Sequence, residues 1–123
     1  MDPKAILQMG DDALRKALFE RLVKRLDAES SQDQSLTGDK RSPGVYSLSR
    51  TDGHRLTVEQ GHGARLLRGV IRWGPHDGAP PWTFSVSRSV DRARLTMHPG
   101  GAEGSISDVV ENIVTTFLDQ VST

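Results

Sequence analysis

Histidine and aspartate are the first candidates for chemistry in this chain, because the sequence contains no cysteine. His76 stands beside Asp77 within residues 74–81, and an imidazole next to a carboxylate has the groups needed for proton transfer. Neighbours in sequence rarely point at one another, however, and no nucleophile lies close by in the sequence. The prolines and glycines of this stretch instead indicate a stiff hairpin loop that carries His76 and Asp77 at its tip for recognition.

The spacing of the histidines argues against a metal centre. His54 and His62 fall at opposite ends of one predicted strand, about 25 Å apart at roughly 3.3 Å per residue, and so do not share an ion. The glycine-rich residues 98–105 lack the Lys-Ser/Thr ending of a phosphate-binding loop. We predict no metal, no cofactor and no enzymatic activity. The remaining catalytic alternative is a composite site at a dimer seam that uses His98 or the His-Asp pair.

Arginine is concentrated in the middle of the chain. Residues 44–98 carry eight arginines and four acids, whereas residues 99–123 carry four acids and no lysine or arginine. The zero net charge of the whole chain therefore hides a basic middle and an acidic end. The planar guanidinium group makes two-point contacts with carboxylates and is common at protein interfaces. The chemistry that this composition favours is recognition of an acidic or polar partner.

Helices are predicted near both ends of the chain. Leucines recur at three- and four-residue spacing and predict an amphipathic helix within residues 1–28. Residues 29–43 hold almost nothing apolar and predict a flexible linker. Ser105 and Asp108 have the spacing of a capping box, which starts a second helix with a broad apolar face in residues 99–123.

Between these segments, residues 44–98 predict five strands joined as an antiparallel meander. We chose turn lengths that bring apolar residues of neighbouring strands opposite one another. With these turns, the apolar residues of every strand lie on one face of the sheet, and only Arg88 fits that face poorly. The predicted pairs are Tyr46–Val58, Leu48–Leu56, Val58–Leu67, Leu56–Gly69, Trp73–Trp82, Ile71–Phe84, Gly69–Val86, Val86–Met97 and Arg88–Leu95.

The expected architecture is a single α+β domain of residues 1–123, in which a five-stranded antiparallel sheet is covered on one face by the C-terminal helix. The N-terminal helix packs either on the same face or on a neighbouring copy. A composition of 35% hydrophobic and 26% charged residues is ordinary for a globular protein. No stretch approaches the roughly 20 apolar residues that span a bilayer, and the first residues lack the order of a signal peptide. A cytoplasmic location with no membrane contact is therefore expected.

The polar face of the predicted sheet is the candidate site. It combines four arginines with many hydroxyl side chains and two aliphatic residues near its middle. A face that is simply solvated is the alternative, because antiparallel sheets often expose one side to water. The predicted partner-binding residues are Arg55, Arg68, Arg72, Arg94, Leu66 and Val70 on this face, together with His76 and Asp77 on the loop.

From this face we predict a non-enzymatic protein-interaction module, of an adaptor, chaperone-like or immunity-like kind, that also forms a homo-oligomer. Open strand edges around residues 45–50 and 92–98 favour self-association, as does attraction between the acidic last helix and the basic face of a second copy. A nucleic-acid-binding protein that uses the same arginines is the alternative. It is the weaker hypothesis, because the aromatic side chains placed in the strands fall on apolar faces and the pI is near 6.9.

Overall fold

The computed structural model describes residues 9–62, 64–72, 81–89 and 94–122. Its elements, in chain order, are α1 (Asp11–Gln32), β1 (Leu36–Ser42), β2 (Val45–Arg50), β3 (Arg55–Gln60), β4 (Arg65–Arg72), β5 (Trp82–Arg88), β6 (Leu95–His98), β7 (Glu103–Gly104) and α2 (Ile106–Ser122). Among these residues, neither helix is long and apolar enough to cross a membrane.

The strands pair in sequence order, and every pair is antiparallel, so the sheet is a single meander. The α+β class and the antiparallel sheet expected from the sequence are confirmed. The expected count of five strands is wrong, because the described residues form seven. Strand β1 lies in the segment interpreted as a linker, and β7 lies in the connection before α2. An edge strand exposes most of its side chains, which is why the polar composition of β1 concealed it.

Helix α1 continues to Gln32, four residues beyond its predicted end at Ala28. The interpretation of residues 29–43 as a structureless linker is therefore wrong for the end of α1 and for β1. The leucines of α1 at positions 14, 18, 22 and 26 are completely buried, and the helix contacts strands β1 to β4. Of the two predicted arrangements, the first is the one found: α1 packs on the sheet of its own chain.

A polar contact between α1 and the sheet fixes the position of β1. The Tyr46 hydroxyl of β2 donates a hydrogen bond of 2.5 Å to Asp27 Oδ1 of α1. Burial, and then the hydrogen bond to Asp27, raise the pKa of Tyr46 far above its ordinary range. A Cβ at Gly38 of β1 would overlap the Tyr46 hydroxyl. Glycine is therefore needed at position 38 for β1 to pair with β2 beneath the helix.

Arg88, the residue that fitted the apolar face poorly, is paired with the start of α1. Its side chain is only 9% exposed, and its Nε donates to Asp11 Oδ1 at 2.7 Å. Another guanidinium nitrogen donates to the carbonyl of Met9. Asp11 lies in the first turn of α1, where a carboxylate also interacts favourably with the helix dipole. The charge of Arg88 is thus neutralised by the helix that covers it.

The predicted strand registers are partly confirmed. The β2–β3 and β5–β6 registers agree with the prediction, with Tyr46–Val58, Leu48–Leu56, Val86–Met97 and Arg88–Leu95 as pairs. In β3–β4 and β4–β5 the predicted pairs are displaced by two residues, so that Gly69 faces Val58 on one side and Phe84 on the other. A displacement by two keeps each side chain on its own face. Trp73 and the predicted turn at residues 91–92 lie outside the described residues.

The turn between β3 and β4 explains the displacement of their register. The Arg65 amide donates to the His62 carbonyl at 3.1 Å, and the Gly61 amide donates to the Leu66 carbonyl at 3.1 Å. These bonds centre the turn one residue later than the predicted pair Val58–Leu67 requires, since that pair implies a turn at residues 62–63. Moving the centre of a turn by one residue changes the strand pairing by two.

Helix α2 begins with the predicted capping box. The Ser105 amide donates to Asp108 Oδ2 at 3.0 Å, and the Asp108 amide donates to Ser105 Oγ at 3.2 Å. The backbone hydrogen bond from Ser105, followed by the side-chain one, lowers the pKa of Asp108. The helix packs on β6, β7 and α1, and Arg25 Nε of α1 donates to Glu111 Oε1 at 2.9 Å. Both helices cover the same side of the sheet, which we call the inner face; the opposite side is the outer face.

Candidate interaction surface on the outer sheet face

The outer face presents four rows of side chains, and each row crosses several strands. Alternation along a strand places every second residue on this face, and the register aligns these residues with their neighbours. The rows are Thr37, Ser49, Arg55 and Arg72; Asp39, Ser47, Thr57, Val70 and Thr83; Val45, Glu59, Arg68, Ser85 and His98; and Arg65, Ser87, Thr96 and Glu103.

A concavity of about 570 Å³ occupies the middle of the outer face. Its lining belongs mainly to strands β3 to β6 and comprises Thr57, Glu59, Arg65, Arg68, Gly69, Val70, Thr83, Phe84, Ser85, His98 and Pro99. The volume falls within the range of roughly 300–1,000 Å³ that is usual for ligand-binding clefts. The concavity is therefore large enough to receive several side chains of a partner.

A β-bulge at the start of β4 brings Arg65 to this concavity. The β4–β5 register shifts between Arg65 and Leu67, so that Arg65 faces Ser87 on the outer face while Leu66 is completely buried. Two consecutive buried leucines do not fit strand alternation, and the bulge absorbs the extra residue. The predicted exposure of Leu66 on the polar face is therefore wrong, and Leu66 is a core residue.

Positive charge on the outer face exceeds the charge of the nearby carboxylates. Arg68 Nε lies 3.8 Å from Glu59 Oε1, but these side chains are 54% and 47% exposed, and such pairs contribute little to stability. Arg55 and Arg72 face one another directly across β3 and β4, and like charges in that position are unfavourable. Arg55 Nε donates to Ser49 Oγ at 3.2 Å, and Arg72 forms no ion pair with another described residue. A bound anion would relieve this repulsion.

Hydroxyl groups surround the arginines and add neutral hydrogen-bonding capacity. Ser47 Oγ and Thr57 Oγ1 are 3.2 Å apart, and Ser87 Oγ lies 3.3 Å from His98 Nε2. A hydroxyl donates or accepts according to its neighbour, so the half-buried Thr57 and Ser87 adapt to the polar groups of a partner, whereas Ser47 is buried. The outer face therefore combines charged donors with adaptable neutral groups.

Four of the predicted partner-binding residues share the outer face of β3 and β4: Arg55, Arg68, Val70 and Arg72. Arg94 lies just before β6, exposed, with a guanidinium nitrogen 3.8 Å from Glu103 Oε2, and does not line the concavity. His76 and Asp77 lie outside the described residues, so their role stays a prediction.

Sequence reasoning did not include Arg65 among the contact residues, because strict alternation assigns it to the inner face. The consecutive leucines at positions 66 and 67 were the signal that could have identified the bulge. Strand alternation alone places Thr57, Ser85 and His98 on the outer face, but the sequence contains no sign that they line a concavity.

The described residues place His54 beside a carboxylate, away from the concavity. Within the described ranges, no group of three or more His, Asp or Glu side chains is arranged to hold a metal ion. His54 Nδ1 and Asp52 Oδ1 are 2.9 Å apart in the turn between β2 and β3, but neither residue lines the concavity. No protein-family model, curated protein or solved structure matches this chain. Function is therefore inferred from the chemistry of the outer face.

Proposed function

We propose that this chain is a non-enzymatic protein-interaction module that binds an acidic segment of a partner protein on its outer sheet face. The observation that supports this proposal is the concavity of about 570 Å³ lined by Arg65 and Arg68, beside the opposed pair Arg55 and Arg72. The arginines would bind carboxylates through their guanidinium groups. The hydroxyls between them would bind backbone and amide groups.

The spacing of the arginines on β4 suits an extended peptide. Arg68 and Arg72 lie on the same face of one strand, four residues apart, which corresponds to about 13 Å at 3.3 Å per residue. Two carboxylates four residues apart in an extended segment have the same separation. Val70 lies between the two arginines and offers an apolar contact to the intervening residue of the partner.

Titration with a hexaglutamate peptide, followed in amide NMR spectra, tests this proposal. We expect shifts of the amide signals of residues that line the concavity, such as Ser85 and His98, and no comparable shifts with hexalysine. Arg68→Glu and Arg65→Glu should each weaken hexaglutamate binding about tenfold or more, because each replaces attraction by repulsion within the site.

Arg21→Glu is the matched control, because Arg21 is exposed on helix α1 and the change of charge is identical. The control should bind hexaglutamate nearly as well as the unmodified chain. An equal loss of binding in Arg21→Glu and Arg68→Glu would show that general charge, and not this surface, attracts the peptide.

A nucleic-acid-binding function is the second candidate, supported by the same four arginines on β3 and β4. Arginine side chains on a sheet face bind phosphates without reading bases. The described rows of the outer face contain no Phe, Tyr or Trp on which bases could stack, and Phe84 in the lining of the concavity is only 4% exposed, so the protein hypothesis is stronger. Gel-shift assays with single- and double-stranded oligonucleotides distinguish the two. Oligonucleotide binding that Arg68→Glu and Arg72→Glu abolish, without hexaglutamate binding, would favour nucleic acid.

A further inference from the structure

The free edge of β1 is the longest unpaired strand edge in the described sheet. The sheet ends at β1 on one side and at β7 on the other, and β7 has two residues whereas β1 has seven. The edge predicted at residues 45–50 is covered by β1, and within the edge predicted at residues 92–98 β7 covers Leu95 and Thr96. We propose that β1 pairs antiparallel with β1 of a second copy across a twofold axis at Gly38. This inference goes beyond the proposed function, because it uses a different surface.

The hydrogen bonds of β1 show which of its backbone groups point away from the sheet. The Thr51 amide donates to the Ser35 carbonyl at 2.9 Å, and these residues are opposite one another in the β1–β2 register. Along an antiparallel strand, the backbone groups of every second residue form hydrogen bonds with the same neighbouring strand. Thr37 and Asp39 therefore bond to β2, as Ser35 does. The amide and carbonyl of Gly38 consequently point outward, and Gly38 is exposed.

A twofold axis limits the possible pairings of β1 with itself. The residue on the axis faces its own copy, as a hydrogen-bonded pair where its backbone groups point outward and as a closer, non-hydrogen-bonded pair where they point to β2. An axis at Leu36 or Thr37 would pair at most three residues of β1 with the second copy, and an axis at Asp39 would oppose two carboxylates. At Lys40 the axis would oppose two like charges, and the β1–β2 register is irregular between Asp39 and Ser42. At Gly38 no side chains are opposed. An axis at Gly38 also pairs residues 36–40 of β1 with the second copy, so this register has the longest pairing among those that oppose no like charges.

The pairing at Gly38 places complementary groups together. Thr37 lies opposite Asp39 of the second copy, so a hydroxyl that donates a hydrogen bond meets a carboxylate. Both side chains are exposed on the outer face. Leu36, which is already buried in its own chain, lies opposite Lys40 of the second copy, so no like charges meet there. The two sheets would then form one continuous sheet with the outer faces on the same side.

This register predicts distances that single cysteines can test, since the chain has no cysteine of its own. Gly38 and its copy form a hydrogen-bonded pair, so Thr37 and Asp39 of the second copy form the closer, non-hydrogen-bonded kind, with Cα atoms about 4.5 Å apart. That separation is within the usual range for a disulfide. The two copies of Thr37 are about 8 Å apart in this arrangement, and so are the two copies of Asp39, which is beyond that range.

Oxidative cross-linking of Thr37→Cys and Asp39→Cys chains tests the proposal. We expect an equal mixture of the two to form at least several-fold more disulfide-linked dimer on a non-reducing gel than either chain alone. Light scattering of the unmodified chain should give a mass approaching twice 13.5 kDa as the concentration rises to hundreds of micromolar. A mass of one chain throughout, or equal cross-linking in the mixture and in the separate chains, would overturn the proposal.

Arg68→Glu in the cross-linking chains separates this inference from the proposed function. Arg68 lies on β4, away from β1, and the substitution should leave the yield of the mixed disulfide unchanged. The same substitution should weaken hexaglutamate binding. The pairing of β1 with a second copy and the binding of hexaglutamate can therefore be disproved independently of one another.

Discussion

The two faces of the sheet are built from the same strands and have opposite roles. On β3, Leu56 is completely buried beneath the helices, while its neighbour Thr57 lines the outer concavity. On β4, Ile71 is buried and its neighbour Arg72 is exposed. Each strand thus contributes apolar area to stability on one side and polar groups to recognition on the other. The comparison shows that the outer face is free to carry unfavourable charge, because the inner face supplies the core.

Arg88 and Arg68 show the same contrast between the inner and outer faces within one residue type. Arg88 points to the inner face, is 9% exposed and is paired with Asp11 at 2.7 Å. Arg68 points to the outer face, is 54% exposed and lies 3.8 Å from Glu59. The first contact joins the sheet to the start of α1. The second leaves a guanidinium accessible to a partner.

The largest expected difference between the two faces is in the free energy of unfolding that is lost when a side chain is truncated to alanine. Leu56→Ala should lower the free energy of unfolding by about 2–5 kcal/mol, because it removes buried methyl groups and leaves a cavity. Thr83→Ala, an exposed position of the outer face, should change it by less than about 1 kcal/mol. Urea denaturation measures both. Comparable losses in the two variants would mean that the outer face contributes to the core.

The second prediction compares the two arginines. Arg88→Met should lower the free energy of unfolding by about 1.5–3 kcal/mol, because hydrogen bonds to the charged guanidinium are lost while the unbranched stem of the side chain is largely kept. Arg68→Met should change it by less than about 1 kcal/mol, as expected for an exposed pair. Thermal and urea denaturation of the two variants provide the measurement. If Arg68→Met were the more damaging substitution, the assignment of the faces would be wrong.

The smallest expected effect concerns the capping box at the start of α2, the helix that covers β6 and β7. Ser105→Ala should lower the free energy of unfolding by about 1 kcal/mol. The pKa of Asp108 is lower in the folded chain, so its stabilising contribution is present above the unfolded pKa of about 4 and is lost as the pH falls through the folded value.

Denaturation of the unmodified chain and of Asp108→Asn at several pH values checks the role of the carboxylate. The stability difference should be constant between about pH 7 and 5 and should diminish in more acidic solution. Hexaglutamate binding at pH 7 should be the same for both chains, because the capping box serves the helix that covers the inner face. A stability difference that grows on acidification would contradict this account of Asp108.

Much of the architecture followed from residue patterns. Both helices, the antiparallel sheet and the facing of most strand residues were predicted, and the two wrong registers still placed residues correctly because they were displaced by two. Leu66 was assigned to the wrong face, and Arg65 was left out of the outer face, because alternation fails at a bulge. Arg88 was recognised as an exception, but its partner is 77 residues away in the chain.

The sequence by itself determined the two-sided character of the strands and the capping box of α2, because both depend on residues close together in the chain. Only the tertiary structure decided the position of β1, which depends on Leu36 in the core and on the space that Gly38 leaves for Tyr46 beneath Asp27. It also decided the concavity, whose lining comes from several strands aligned by their registers. Alternation is a property of the local backbone, whereas burial and charge pairing depend on which distant segments meet.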